Sequence, residues 1–571
     1  MTTRIVSFLG IGNKSRPEPY YDEATYSLDQ VTARKVCFNE VATVRAAAGP
    51  VTLVFVGTKE ARLTFFDARR LFEKHAGPHL EGMELRLAFR EIAAGNSSEE
   101  LWTLFNALTE LLSGDALTLS DPYDPNKPLV ESASPSDIWL DVTRGWRNQP
   151  FFAASAVTFV RAQERREKRE APPARRILYA AYDLETKEAP FRDLTAFLEA
   201  ADWNRALDGL MRFGRADDLE ALLAERERGL RAVPGVDHKL VPKLKHLGSL
   251  ARSFADALAT GRVQPLLTSI APAFARSLSD LEPLLAVHAP PVAPQVAQLR
   301  DWAQRLSAET VISGEGLSAT LELLELYGQL ERYAEQAALL RERMIDEWTL
   351  CQLPHDAVLQ PGSRVAKFNE QRHRMDAGLG RLGSGAPGIG RRFQNTVQVR
   401  NDVEHCGYNH DPLDAQKARK QLKSHVEGLP TVFLNLSNHP SAGWSDEQRH
   451  AALALGCRSL EDLPFPGVPP EADEAELATL AAATLEAAME HKPAAAMVAG
   501  EPGLVALLVA GLQARGVRCY TATTRREAVE ALQADGTVRK TSTFRFVRWR
   551  AYPPITLAQA PAAPQEDAPR E

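Results

Sequence analysis

The strongest constraint in the sequence is that its apolar pattern changes period twice. Up to about residue 190, short apolar runs alternate with amphipathic stretches. Arg4 to Gly12, Val51 to Val56 ahead of Gly57-Thr58, Ile138 to Val142 ahead of Thr143-Arg144-Gly145, and Ile177 to Tyr182 read as strands. Ala61 to His75 and Glu99 to Leu112 read as helices between them. Strands apolar on both faces and separated by helices predict a parallel, doubly wound α/β sheet. From Phe191 to about Leu350 the spacing is helical, clearest over Thr195 to Phe213, Ala216 to Leu230, Pro242 to Ala259 and Gly316 to Asp346, with Pro290-Pro291 as punctuation. After Gly428-Leu429-Pro430 strands return at Thr431 to Leu436, Ala494 to Ala499 and Val517 to Ala522, around a helix at Glu471 to His491. The expected chain is an α/β domain over 1–190, an all-α middle over 191–430, a second, smaller α/β domain over 431–555, and a disordered Ala/Pro/Glu-rich tail over 556–571.

Composition narrows the function classes. With 571 residues, 44% hydrophobic and 25% charged, the chain can bury several cores and is neither collagenous nor wholly disordered. A formal net charge of −7 argues against coating duplex DNA, which needs a broad cationic surface. Five cysteines without a CxxC pair argue against a disulfide framework or a structural zinc site. The N-terminal apolar run is too short for a signal peptide, and no uninterrupted apolar stretch of about 18 residues occurs, so the expectation is a cytoplasmic protein with no membrane partner.

In open parallel sheets, ligands sit beyond the carboxyl ends of the strands, where backbone N–H groups favour anions. That rule nominates Gly10, Gly12 and Asn13, then Gly57, Thr58 and Lys59, then Asp141, Thr143, Arg144 and Gly145. Close-approach glycines, hydroxyls and two cations suit a phosphorylated or nucleotide-like ligand. The Gly-x-Gly is incomplete as a dinucleotide fingerprint, since Ser15 stands where a third glycine belongs. Gly380 to Gly390 is no phosphate loop either: Arg391-Arg392 follows in place of Lys-Ser/Thr, and the segment reads as a flexible connector. In the last domain the same rule nominates Ser437, Asn438, His439, Gly500, Glu501, Thr523, Thr524, Arg525 and Arg526.

Arg400-Asn401-Asp402-Val403-Glu404-His405 carries a different chemistry. On a helix Asn401 and His405 share a face, and the long Arg400 side chain can swing to join them. Histidine moves protons near neutral pH, arginine holds a phosphate bidentately, and asparagine orients a ribose hydroxyl or the imidazole. Those are the needs of metal-free RNA cleavage by attack of a 2′-OH on the adjacent phosphate. One histidine per chain is too few for separate acid and base roles, and a two-fold dimer supplies the second.

Together, the N-terminal Ile-Val-Ser-Phe-Leu-Gly-Ile-Gly-Asn, the Tyr20-Tyr21-Asp22-Glu23-Ala24-Thr25-Tyr26 segment, Asp141-Val142-Thr143-Arg144-Gly145-Trp146-Arg147 and Arg400-Asn401-x-x-x-His405 resemble the CARF-HEPN ribonucleases of type III CRISPR systems over roughly residues 1–430. The D-x-T-[HR]-G motif of that family falls on Asp141, Thr143, Arg144 and Gly145, and its R-x4-H motif on Arg400 and His405. The resemblance implies a Rossmann-like CARF sensor, a HEPN ribonuclease that needs no metal or other cofactor, and activation by a cyclic oligoadenylate, with cyclic tetra-adenylate favoured. It also implies single-stranded RNA as substrate and a homodimer or a multiple of one. The third region is similar to a small Rossmann-type protein of the CRISPR neighbourhood; messenger cleavage as a ring nuclease and a ligand-free docking role both stand open for it. Two rivals are a non-catalytic nucleotide sensor and a chain whose main activity is messenger removal.

Overall fold

A computed structural model describes residues 2–93, 97–145, 149–167, 174–231, 236–288, 292–383, 388–406, 408, 412–532 and 538–555. Trp146, Arg147, Pro290, Pro291 and the tail over 556–571 lie outside them. The chain divides into two compact units, Met1–Asn204 and Arg205–Glu571.

The first unit holds a ten-stranded sheet built from β1 (Thr3–Phe8), β2 (Ala24–Leu28), β3 (Val31–Val36), β4 (Val51–Gly57), β5 (Leu85–Glu91), β6 (Thr118–Ser120), β7 (Pro128–Val130), β8 (Asp137–Asp141), β9 (Ala174–Ala180) and β10 (Glu188–Asp193), in the order 3-2-10-9-8-1-4-5-6-7. Only its centre is the expected parallel array: β9-β8-β1-β4-β5 run parallel. The flanks correct the all-parallel expectation, because β10 pairs antiparallel with β9, β2 with β3, β5 with β6 and β6 with β7. All six residues of β1 are buried, and alternate side chains enter opposite cores. Ile5, Leu53 and Phe55 pack with Phe38, Phe65 and Phe72 on the side of α1 (Glu40–Ala46) and α2 (Lys59–Phe66). Val6, Phe8, Val54 and Val56 pack with Leu108 of α3 (Ser98–Leu111) and Val157 of α4 (Gln149–Arg166). Each such Leu, Val or Phe stabilises the unit by about 1.5–3 kcal/mol over an exposed side chain. Arg4, in the same strand, is fully buried because Glu131 and the carbonyls of Leu111 and Ser113 take its guanidinium.

Two further expectations need correction here. The helix over 61–75 breaks after Phe66, where Arg70 takes φ +49, and resumes at Leu71–Ala76. A boundary at 190 would cut β10, which is held on one side by β9 and on the other by β2, so the compact unit continues to Asn204.

The second unit begins with helices at Asp217–Leu230, Val241–Ala259, Ala271–His288 and Ala293–Arg305. There follow α5 (Gly314–Gln329), α6 (Tyr333–Gln352), α7 (Val365–Leu382), α8 (Ile389–Glu404) and α9 (Ala415–Glu427). The single helix expected over 316–346 is two, parted by Glu331 at φ +57. The glycine-rich connector is helical at both ends: α7 runs through Gly380 to Leu382, and α8 starts behind Gly388. Residues 384–387 lie outside the described set.

Within the same unit, β11 (Val432–Leu436), β12 (Ser459–Leu463), β13 (Pro493–Val498), β14 (Arg518–Leu532) and β15 (Val538–Ala551) form a sheet in the order 12-11-13-14-15. The first four are parallel and the last pair is antiparallel. Leu434, Leu436 and Val498 pack against α11 (Glu474–Glu490) and α12 (Pro502–Ala514); Phe433, Trp444, Phe546 and Trp549 form the core on the other face, beside α10 (Asp446–Leu453). The helices and this sheet are closely joined. Arg458 pairs with Glu322 at 2.8 Å and Glu325 at 2.5 Å, and the backbone N–H of Ile389 donates to the Arg515 carbonyl at 3.3 Å. Among the described residues, no helix is long and apolar enough to cross a membrane.

Candidate ligand and nuclease sites

At the carboxyl end of β8 the Asp-x-Thr-Arg-Gly segment turns sharply. Asp141 is fully buried; it accepts from the Asn39 side-chain amide at 2.5 Å and from the Thr143 backbone N–H at 2.9 Å. Thr143 in turn accepts from the Ala180 N–H of β9 at 2.9 Å. Glu40, also buried, accepts from Ser7 of β1 at 2.7 Å. Burial pushes the Asp141 carboxyl up to about 7, and the neighbouring Glu40 carboxylate pushes in the same direction. Asp141 and Thr143 thus shape the turn from beneath, and Arg144 is the side chain the turn presents. Its guanidinium lies 3.5 Å from the centroid of the Tyr21 ring and donates to the Tyr26 hydroxyl at 3.3 Å and to the Cys37 carbonyl. Burial opposes the charge of Arg144, but Tyr21, Glu40 and Tyr26 outweigh it and hold the proton more firmly than usual. Among the described residues, Arg144 Nη1, Asn39 Oδ1 and Glu40 Oε2 are buried without a hydrogen-bond partner. Gly145 is exposed beyond them.

Tyr21 links this cluster to the first glycine loop, since its hydroxyl donates to the Gly10 carbonyl. Gly12 takes φ +70, and a Cβ there would lie 2.8 Å from the Tyr20 carbonyl oxygen. A Cβ on Gly57 would approach the Leu9 carbonyl equally closely, so both glycines are dictated by backbone contact. Two nominated polar groups are committed locally: Asn13 accepts from Ser15, and the Thr58 hydroxyl caps α2 by accepting from the Ala61 N–H at 3.3 Å. Lys59 remains exposed on the wall of an open cavity of about 610 Å³, shared with Lys14, Tyr20, Glu60, Asp67 and Arg69. Asn39 and Glu40 went unrecognised at the sequence level, and Ser7 and Tyr21 stood there only within longer segments, with no role at the site. The one signal for Asn39-Glu40 is a helix-capping residue type followed by an acidic one, a few residues after a strand.

The R-x4-H segment closes α8. Arg400 is half-buried; its Nη1 donates to Asn401 Oδ1 at 3.0 Å and its Nη2 is paired with Glu404, while Nε is buried without a partner among the described residues. The helix ends at Glu404, so His405 is its C-cap, with its N–H still bonded to the Asn401 carbonyl at 2.9 Å and its side chain exposed. Asp402 points the other way, buried, and accepts from the Leu413 N–H. Arg400, Asn401 and Glu404 are therefore brought together. Glu404 was missed, although its i,i+4 spacing from Arg400 was legible. Glu404 also lines a cavity of about 750 Å³ together with Arg262, Glu342, Asp346 and Arg372. Burial pushes Asp346 up to about 6 against the opposing charge of Arg372.

The third nominated set divides. Ser437 donates to Asn435 at 2.7 Å and accepts from the His439 N–H, while Asn435 reaches Asp462 at 2.6 Å, a network that ties the ends of β11 and β12. Burial works against the charge of Asp462, yet its donors Asn435 and Ser441 keep it below the usual carboxylate range. Asn438 and His439 are exposed. Glu501 caps α12 by accepting from the N–H groups of Gly503 at 2.9 Å and Leu504 at 2.6 Å, so a carboxylate of the chain fills the place expected for a phosphate. Gly500 serves packing, because a Cβ there would lie 2.3 Å from the Phe465 ring. Thr523, Thr524, Arg525 and Arg526 do not lie at a strand end. β14 continues through them to Leu532, paired with β15 from Tyr520 on, so the strand-end ground for placing them in a pocket does not hold.

The fold and sites define a mixed α/β chain: a large-sheet unit with a buried carboxyl–guanidinium cluster, and a second unit in which helices join a smaller sheet. The family model described as "Uncharacterized protein MJ1673 family" matches residues 431–550, the region of the smaller sheet. Among solved structures, the chain is similar to Enterococcus italicus Csm6 bound to cyclic hexa-2′-fluoro-hexa-dAMP, at 13% identity and a TM-score of 0.35, over 75% of this chain and 92% of that one. The sequence matches no curated protein.

Proposed function

We propose that the protein is a cyclic-oligoadenylate-gated endoribonuclease of CRISPR antiviral defence that cleaves single-stranded RNA as a homodimer. The observation that supports it most is Arg400 bonded to Asn401 in the last turn of a helix that His405 caps and whose Glu404 lines a cavity. Arg400 holds the scissile phosphate and stabilises charge developing on it. The 2′-oxygen attacks phosphorus as the bond to the 5′-oxygen breaks, giving a 2′,3′-cyclic phosphate and a 5′-hydroxyl. One protomer's His405 accepts the 2′-hydroxyl proton and the partner subunit's His405 protonates the leaving oxygen. Asn401 orients one imidazole. The messenger sits at Lys59 and Arg144 in the first unit and is tightest in the active arrangement, as gating requires. The smaller sheet binds or degrades the same messenger.

The test incubates the full chain with a reporter RNA and with rings of four or six adenylates, tested separately. Arg400→Ala and His405→Ala should each lower the stimulated rate by about 10²–10⁴. Native-rate cleavage by either variant refutes the site. The engagement of Arg400 by Glu404 and Asn401 favours a second reading, a non-catalytic sensor, which predicts messenger binding without RNA cleavage at any messenger concentration.

A further inference from the structure

The arginines misplaced by the strand-end rule belong to a different surface. β13 pairs with β14 only through Arg518, Cys519 and Tyr520, so from Thr521 onward β14 and β15 form a two-stranded ribbon. Opposed residues of an antiparallel pair share a face, and alternate pairs share the same one. Thr521 opposes Arg550, Thr523 opposes Arg548 and Arg525 opposes Arg545. Val547, the extra residue at the register shift, keeps these three pairs on one side, while Phe546 and Trp549 turn into the core. Arg525, Arg545, Arg548 and Arg550 are all exposed, and none of their guanidinium groups has an ion pair or hydrogen bond among the described residues. Arg525 directly opposite Arg545 is a like-charge pair, which costs a ribbon stability unless an anion lies across it. Eight basic and three acidic residues fall between Arg518 and Ala551, in a chain whose net charge is −7.

We propose that this arginine face holds the phosphate backbone of single-stranded RNA, as a contact separate from the cleavage site; the proposal rests on the reading that the substrate is RNA. Rows two residues apart recur at about 7 Å along a strand, a track that an extended ribose–phosphate backbone can follow. All four cations are arginines, whose planar fork matches phosphate oxygens better than a lysine does. On the opposite face Phe544 is 66% exposed and opposes Arg526, offering a ring on which an unpaired base can stack. Duplexes keep their base faces covered, and an acidic protein has no base to stack there.

Fluorescence anisotropy of the full chain with a labelled 20-nucleotide 2′-O-methyl RNA, across a salt series, tests this. Such RNA lacks the attacking hydroxyl, so binding is read whether or not the chain is a nuclease. Replacing Arg525, Arg545, Arg548 and Arg550 by Ala should weaken binding at least tenfold and reduce the slope of log Kd against log salt by about 2–3, at roughly 0.7 per phosphate lost. Unchanged affinity and slope overturn the proposal and leave the nuclease reading standing. Equal binding of a duplex, or displacement of the RNA by a polyglutamate of equal charge, also overturns it. Should the fourfold variant fail to fold, Arg548→Glu alone is judged by the same two readouts.

Discussion

Asp141→Asn will flatten the pH dependence of the first unit's stability. In the native structure the carboxyl is fully buried beside Glu40, and its affinity for a proton rises from the ordinary 3.8 to about 7. That shift is worth about 4 kcal/mol between the two protonation states. The native state binds the proton more tightly than the unfolded chain. Stability from the protonated carboxyl is therefore complete below pH 3.8, declines as the unfolded chain ionises, and is fully lost once pH has risen through 7. About 2 kcal/mol of the decline, roughly thirtyfold in the unfolding equilibrium, falls between pH 5.5 and 8. Asparagine cannot ionise and fits the same bonds. Its carbonyl can accept from the Thr143 N–H, and its amide can donate to Asn39 Oδ1, which lacks a partner among the described residues, once the Asn39 carboxamide turns over. Hydrogen exchange at the β8 amides of Ile138 to Asp141 reads the opening of this unit separately from the second. Protection corrected for intrinsic rates should fall about thirtyfold in the native protein from pH 5.5 to 8 and stay nearly level in the variant. A level native profile, or the same slope in both proteins, refutes the reasoning.

Two other outcomes follow from single contacts. Glu404→Gln removes the i,i+4 partner of Arg400, a pair worth about 0.3–0.5 kcal/mol, so messenger-free cleavage of a reporter RNA should rise about twofold in initial rate. Gly500→Ala forces a Cβ to within 2.3–2.5 Å of three Phe465 ring atoms, an overpacking that costs about 1–3 kcal/mol and should appear as a lower unfolding temperature.

How far the sequence disclosed this structure depended on which forces decided each part. The β1 and β4 runs were legible because burial on both faces leaves an unbroken apolar string. Helical periodicity made the helix under R-x4-H legible by setting Asn401 and His405 at i, i+4, but not that it ends at Glu404 and leaves His405 as its cap. β14 was read as ending at Ala522; Arg526-Glu527-Ala528-Val529-Glu530-Ala531-Leu532 carries little strand signal of its own, and pairing with β15 extends the strand through it. The flanking antiparallel strands escaped for the same reason, because an edge strand such as β3, with only two of its six residues buried, carries little apolar signal. The buried Glu40 beside Asp141 depends on segments about a hundred residues apart meeting at one sheet end, which no local pattern records.

The structure also ties α8, the helix that carries Arg400, to the smaller sheet. α8, about 24 Å long, carries Arg400 in its last turn, and its first turn rests on the turn between α12 and β14. Gly388 takes φ +73 with room for no side chain against the Arg515 carbonyl, and Gly516, at φ +85, lies against Ile389. A helix of this length moves as a rod, so displacement of its first turn reaches Arg400. Gly516→Ala places a Cβ 2.8–3.1 Å from three Ile389 atoms and strains the left-handed backbone by about 1–2 kcal/mol. If the clamp positions Arg400, messenger-stimulated RNA cleavage should fall several-fold or more, since a 1 Å error in a reacting group can cost about a hundredfold. Messenger affinity of the first unit should stay within twofold. Gly467→Ala, where nothing lies within 4 Å, is the matched control and should change neither. A Gly516→Ala protein with a lower unfolding temperature and an undiminished cleavage rate would show that the clamp supports stability alone.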